Sequence, residues 1–246
     1  MSEQTTTNGN KNVVLICGEP NTGKSTSLMK LRNQNKMVYL NCDLKELPFR
    51  SRFAVNVEVS DAYNVLDYID EIEQQPGIEG GVLDTITFLM SMFERQYVIT
   101  AKDTQKAWGA YGNFYRDLIH RLKSGTKDYA ILAHVDTQYN EAKMAMDSKV
   151  PIKGAVGKIG IEADFTTILT TKQMPIKKLE GFENDLLHVS EDEKEDGFKY
   201  VFVTRVSKDS VGEKMRSAMG LWDRKELYID NDLNQVFARL KQYYGS

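Results

Sequence analysis

Apolar residues along the chain fall into short unbroken runs that alternate with stretches of helical period. The run Val13, Val14, Leu15, Ile16, Cys17 is too short for a helix and continuous enough for a strand covered on both faces. Residues 37–41 predict a second strand and residues 54–59 a short third one. Val65, Ile69 and Ile72 mark one face of a helix over residues 61–75, which Pro76 and Gly77 stop. Residues 80–85 read as a buried strand with Asp84 near its end, and residues 86–97 as helical. A long helix over 106–123 follows, then a buried strand over 129–136 that becomes polar at His134. Residues 137–160 show no clear period, a length that points to a functional loop rather than a connector. The sheet resumes over 164–171, the acidic stretch 190–197 predicts a solvated hairpin tip, residues 198–206 alternate as a strand, and residues 232–243 close the chain as a helix. Strands alternating with helices predict an α/β fold: a doubly wound, mainly parallel sheet flanked by helices, with a C-terminal β-hairpin extension.

Composition narrows the reading only modestly. The polar residues 1–11 are expected to form a loose tail and residues 12–246 one domain. With 41% hydrophobic and 27% charged residues the chain is of globular type, and no apolar run approaches the length of a membrane span. A net charge of −3 argues against a strongly basic, permanently bound nucleic-acid protein, while leaving room for a local basic groove. Cys17 and Cys42 both fall in or beside expected central strands, which suits buried free thiols and a cytoplasmic setting.

The chemistry concentrates directly after the first strand. Gly18-Glu19-Pro20-Asn21-Thr22-Gly23-Lys24-Ser25 completes the pattern G-x-x-x-x-G-K-S. Its glycines let the main chain wrap a phosphate group with N–H donors inward. Lys24 reaches the β- and γ-phosphates, Ser25 offers a hydroxyl to Mg²⁺, and Thr26 continues the cradle. Residues 24–31, with Leu28 and Leu31 on one side, predict a helix whose positive end faces the same anion. The expected cofactors are ATP and Mg²⁺.

Further candidates follow from position. Asp84, at the end of a buried strand, is expected to hold the metal opposite Ser25, or to cap the helix beginning at Thr85. Asp43, with Glu46 as an alternative, follows the second strand where a water-activating carboxylate would stand; either could equally be a turn former. His134 ends the strand expected beside the loop strand, as a phosphate sensor or as a structurally satisfied histidine. Trp108, Tyr111, Phe114 and Tyr115 interleave with basic residues, but their three- and four-residue spacing favours a buried face over base stacking. Lys143, Lys149, Lys153 and Lys158 make the best local basic surface for a single strand, against the plain reading of a solvated loop. Arg205, Lys208, Lys214 and Arg216 form a second basic group.

The phosphate loop at 18–25, Asp84-Thr85, His134 and the Gly/Lys stretch ahead of Asp164 together resemble the RecA-like P-loop ATPase core, over residues 12–245. Within it the chain is similar to the small phage-encoded ATPases of the Sak single-strand annealing type. That resemblance implies an ATP hydrolase acting on single-stranded DNA in recombination or replication, working as a homo-oligomer with a phage single-strand-binding protein as a possible partner. It implies that His134 is the polar switch residue and that residues 143–160 are a DNA-binding loop. Asp43 departs from the family, whose recombinases place a Glu there. Two other classes stay open: a P-loop small-molecule kinase, although residues 137–160 contain no arginine for a lid, and a slow nucleotide switch that recruits replication proteins.

Overall fold

The computed structural model describes residues 9–142, 144–207, 210 and 212–245. In chain order the elements are β1 (Val13–Gly18), β2 (Met37–Asn41), β3 (Val55–Glu58), α1 (Asn64–Gln74), β4 (Gly80–Asp84), α2 (Ile86–Phe93), α3 (Thr104–Ser124), β5 (Asp128–His134), β6 (Asp136–Asn140), β7 (Ala145–Lys149), α4 (Gly154–Ile159), β8 (Thr167–Pro175), α5 (Ile176–Leu179), α6 (Glu191–Asp196), β9 (Phe198–Val203), β10 (Tyr228–Asp230) and α7 (Leu233–Tyr244). Eight strands form one sheet in the order β10-β9-β8-β1-β5-β4-β2-β3. The six from β8 to β3 are parallel, and β9 and β10 add antiparallel at one edge. This is the doubly wound α/β architecture expected from the sequence.

Alternation along β1 explains the two layers. Val13, Leu15 and Cys17 pack with the apolar faces of α1, α2 and α3, while Val14 and Ile16 face the cluster holding Leu233, Val236, Phe237 and Leu240 of α7. A strand covered on both faces has no polar position to spare, so β1 reads as a continuous apolar run. Tyr111, Phe114, Tyr115, Leu118 and Leu122 of α3 are all buried, so the aromatic spacing belongs to the core. Cys17 and Cys42 are free and buried. Among the described residues no helix is long and apolar enough to cross a membrane.

Three local expectations are corrected. The helix over 24–31 is instead a single 3₁₀ turn, Ser25–Leu28. Amide side chains end it: Gln34 Nε2 donates to the carbonyls of Leu28 (2.8 Å) and Met29 (3.2 Å), and the Arg32 N–H, the natural partner of Leu28, donates instead to Asn234 Oδ1 (3.0 Å). The stretch 137–160 is not irregular: β6 and β7 pair antiparallel as a separate two-stranded ribbon, followed by α4. With Tyr139 and Met146 exposed, the ribbon lacks the one-sided apolar alternation by which strands are recognised. The acidic stretch at 190–197 is no hairpin tip but α6, begun by a capping box of Ser190 with Glu193 and ended by left-handed Gly197. β10 was not anticipated. Lys143 and Lys208 lie outside the described residues.

Candidate nucleotide site

The site lies at the C-terminal ends of β1, β4, β5 and β2, where parallel strands release their loops. The register sets Gly18 beside His134, and β5 lies between β1 and β4. A cleft of about 370 Å³ opens there; Lys24, Ser25, Asp43, Asp84 and His134 are among its lining residues.

The loop is held by contacts from distant strands. Thr22 Oγ1 lies 2.8 Å from Thr171 Oγ1 on β8 and donates to the Glu19 carbonyl at 2.8 Å. A Cβ on Gly18 would stand 2.1 Å from Thr171 Oγ1, so only glycine lets β1 pass so close to β8 at this point. Gly23 has φ +99°, a left-handed conformation, and its carbonyl accepts from Asn231 Nδ2 at 2.8 Å. Pro20, Asn21 and Thr26 also line the cleft, whereas Glu19 is exposed beside it and not among its lining residues.

Lys24 is buried, and its ammonium donates to the carbonyls of Gly18 (2.9 Å) and Glu19 (2.7 Å). Burial lowers its pKa from 10.5 to about 8, opposed by the nearby Asp84. Ser25 Oγ donates to Asp84 Oδ2 at 3.4 Å, and Tyr39 donates to the same oxygen at 2.8 Å. Burial raises the Asp84 pKa to about 6, against the pull of the Tyr39 hydrogen bond. The capping role at α2 belongs to Thr85, whose Oγ1 accepts from the Phe88 N–H, which leaves Asp84 aimed at the cleft. Burial, then Lys24, lowers the His134 pKa to about 4, so its imidazole is neutral near pH 7. His134 meets the Phe88 ring edge-on at 5.4 Å between centroids.

Asp43 is half-buried in the cleft wall, its Oδ1 accepting from the Lys45 N–H at 3.0 Å. Glu46 is exposed and lies outside the cleft lining. Lys149, Lys153 and Lys158 are all exposed; Lys153 pairs with Glu94 at 2.9 Å. The first two line a separate cavity beside the ribbon, together with exposed Tyr139. Sequence reasoning missed Tyr39, Thr171, Asn231, Lys45 and Tyr200, the last two of which line the nucleotide cleft. Each reaches the site from a segment remote from the motif, and Tyr39 and Thr171 read in sequence as ordinary strand residues.

A glycine-bearing loop between a buried strand and a turn, an ammonium folded over it and a hydroxyl–carboxylate pair beside it define a P-loop nucleotide-binding domain. Residues 10–173 match the AAA domain family, AAA_24, and since this is more than half of the chain, the chain belongs to that family. No curated protein matches it. Among solved structures it is similar to a KaiC-like protein from the hyperthermophilic archaeon Pyrococcus horikoshii OT3, with a TM-score of 0.43 and 12% identity over 85% of this chain and 83% of that one. The hard oxygen donors of Ser25 and Asp84 are of the type Mg²⁺ takes, so these two side chains would hold the ion.

Proposed function

We propose that the chain is an ATP-binding, Mg²⁺-dependent ATPase that acts on single-stranded DNA as an oligomer, in the manner of the phage Sak-type annealing ATPases. The observation that carries the hydrolytic part is the meeting of Ser25 and Asp84 at 3.4 Å beside a phosphate loop whose lysine is buried in the same cleft.

Each residue has a task its position suits. Main-chain N–H groups of residues 18–26, apart from Pro20, which has none, cradle the phosphates, and Lys24 exchanges its two carbonyl partners for β- and γ-phosphate oxygens. Ser25 and Asp84 hold Mg²⁺, which when bound neutralises charge developing on the phosphates. Asp43 takes the proton of a water whose oxygen attacks the γ-phosphorus as the bond to the β–γ bridging oxygen breaks and ADP leaves. Neutral His134, bonded through its main-chain N–H to Thr87 Oγ1 at 3.0 Å, reports on the γ-phosphate from the β5 end. The ribbon and the segment after it supply the contact to the single strand: Tyr139 for base stacking and Lys149 and Lys153 for phosphates, with exposed Lys158 on α4 as a further cation. A phage single-strand-binding protein is the natural partner for such an activity.

ATP turnover with and without single-stranded DNA tests this, with duplex DNA and nucleoside monophosphates as controls. Stimulation by single strands is the expected result. Phosphate transfer to a monophosphate would replace the proposal with a small-molecule kinase, and stoichiometric binding without turnover would replace it with a nucleotide switch.

A further inference from the structure

A further cavity, of about 430 Å³, opens beside the residues that follow the turn after the phosphate loop. Its walls carry Arg32, Arg50 and Arg52, with Met29, Leu31 and Gln34 between them. Arg32 and Gln34 precede β2, Arg50 and Arg52 precede β3, and β2 and β3 run parallel, so the cavity sits by the N-terminal ends of these strands. Asp43, Lys45 and Pro48, which follow β2, line the nucleotide cleft at the opposite ends. The connection 42–54 therefore spans both.

Charge separates this cavity from ordinary surface. Residues 29–52 hold six basic and two acidic residues, a local excess of +4 in a chain of net charge −3. No carboxylate lines the cavity, and among the described residues none pairs with the guanidinium of Arg32, Arg50 or Arg52. Lys36, next in sequence to the lining residue Asn35, is already paired with Glu79 at 2.6 Å. Arg32, Arg50 and Arg52 are exposed and line one cavity without a counter-charge, which leaves a local positive field for an anion to enter.

The cavity is also fixed in place. Gln34, buried at 6% exposure, accepts from the Arg52 N–H at 2.8 Å through Oε1 while its Nε2 holds the carbonyls of Leu28 and Met29. Asn234 accepts from the Arg32 N–H at 3.0 Å. Main-chain hydrogen bonds thus hold two of the arginines and leave their guanidinium forks to a ligand. Such forks match phosphate oxygens in pairs and stack on flat bases. Met29 and Leu31 add apolar surface for a sugar or a base edge.

We propose that this arginine pocket is a second phosphate-binding site, taking backbone phosphates of single-stranded nucleic acid. A concave pocket admits a phosphate from a flexible strand, whereas duplex phosphates ride on a rigid cylinder. Gln34 ties the pocket to the turn directly after the phosphate loop. The inference rests on the reading that the chain handles single strands, but assigns them a contact that the ribbon does not supply.

The test is equilibrium binding of a fluorescent oligo-dT over a salt series to three full-length proteins: wild type, Arg32→Gln/Arg50→Gln/Arg52→Gln, and Lys149→Gln/Lys153→Gln/Lys158→Gln. Loss of three single-strand phosphate contacts should flatten the plot of log affinity against log salt by about 2 units in the arginine variant, with MgATP binding and thermal midpoint retained. The single variant Arg50→Gln should flatten it by about 0.7 and serves if the triple variant does not fold. An unchanged slope overturns the pocket. So does displacement of the oligonucleotide by polyglutamate as effectively as by unlabelled oligo-dT, which would assign the arginines to an acidic protein segment. A loss confined to the lysine variant rejects the pocket and keeps the ribbon contact; a loss confined to the arginine variant does the reverse.

Discussion

The hydroxyl of Tyr39, on β2, donates to Asp84 Oδ2 on neighbouring β4 at 2.8 Å, and Ser25 approaches the same oxygen at 3.4 Å. Tyr39 is 1% exposed and stacks on Phe53 with ring centroids 5.1 Å apart, so the hydroxyl has little freedom. The carboxylate proposed to hold Mg²⁺ is therefore oriented from the core.

Tyr39→Phe should remove that donor and leave Asp84 easier to protonate. Apparent affinity for MgATP should fall several-fold near pH 6.5 and recover towards wild type at pH 8, with a stability cost of about 1–2 kcal/mol. Calorimetric titration across pH 6–8 checks it, and a pH dependence identical to wild type would contradict it.

Asp84→Asn should trade function for stability. The folded pKa of Asp84, about 6, exceeds its ordinary 3.8, so the folded protein binds the extra proton and this group's favourable contribution is present below pH 4 and lost as pH rises through 6. Relative to wild type, the variant should gain on the order of 2–3 kcal/mol at pH 7, little at pH 4, and lose Mg²⁺-dependent turnover. His134 acts oppositely: its depressed folded value of about 4 gives a contribution present above 6.5 and lost as pH falls through 4. Urea unfolding of the variant should therefore show stability rising between pH 4 and 6.5, where wild type is flatter. Equal stabilities at pH 7 would reject the burial argument.

Loop rigidity can be separated from ligand contact. Gly18→Ala puts a Cβ 2.1 Å from Thr171 Oγ1 and 2.5 Å from Thr22 Oγ1, and should cost about 1–3 kcal/mol and at least tenfold in nucleotide affinity. Asn231 does not line the cleft, yet Asn231→Ala removes the donor to the Gly23 carbonyl and should also weaken nucleotide binding, with about 1 kcal/mol lost from stability. Thermal unfolding and nucleotide titration of the two variants check this; an Asn231→Ala protein with wild-type affinity would show that the loop holds its shape unaided.

What could be read from the sequence was whatever one segment settles by itself. The apolar run of β1 directly before Gly18, Asp84 at the end of β4 and His134 at the end of β5 each carry their signal within a few residues. The β6–β7 ribbon was missed because its strands present no one-sided apolar face, and the turn after Ser25 because its length is decided by Gln34 and Asn234, the latter about two hundred residues away. Ser190 and Glu193 did carry a capping-box pattern, masked by the acidic run around them. The hydrogen bonds of Tyr39, Thr171 and Asn231 exist only once the sheet is assembled.

The central claim is that main-chain amides and Lys24 grip a triphosphate, and calorimetric titration of wild type and Lys24→Ala with a non-hydrolysable ATP analogue, with and without Mg²⁺, tests it most directly. Burial penalises the charge of Lys24, so its removal should leave the fold intact below pH 8, and thermal unfolding serves as the control. The account predicts saturable one-to-one binding by wild type that is strengthened by Mg²⁺ and weakened at least tenfold by the substitution. Absence of saturable binding in wild type, or equal affinity in the two proteins, would contradict it.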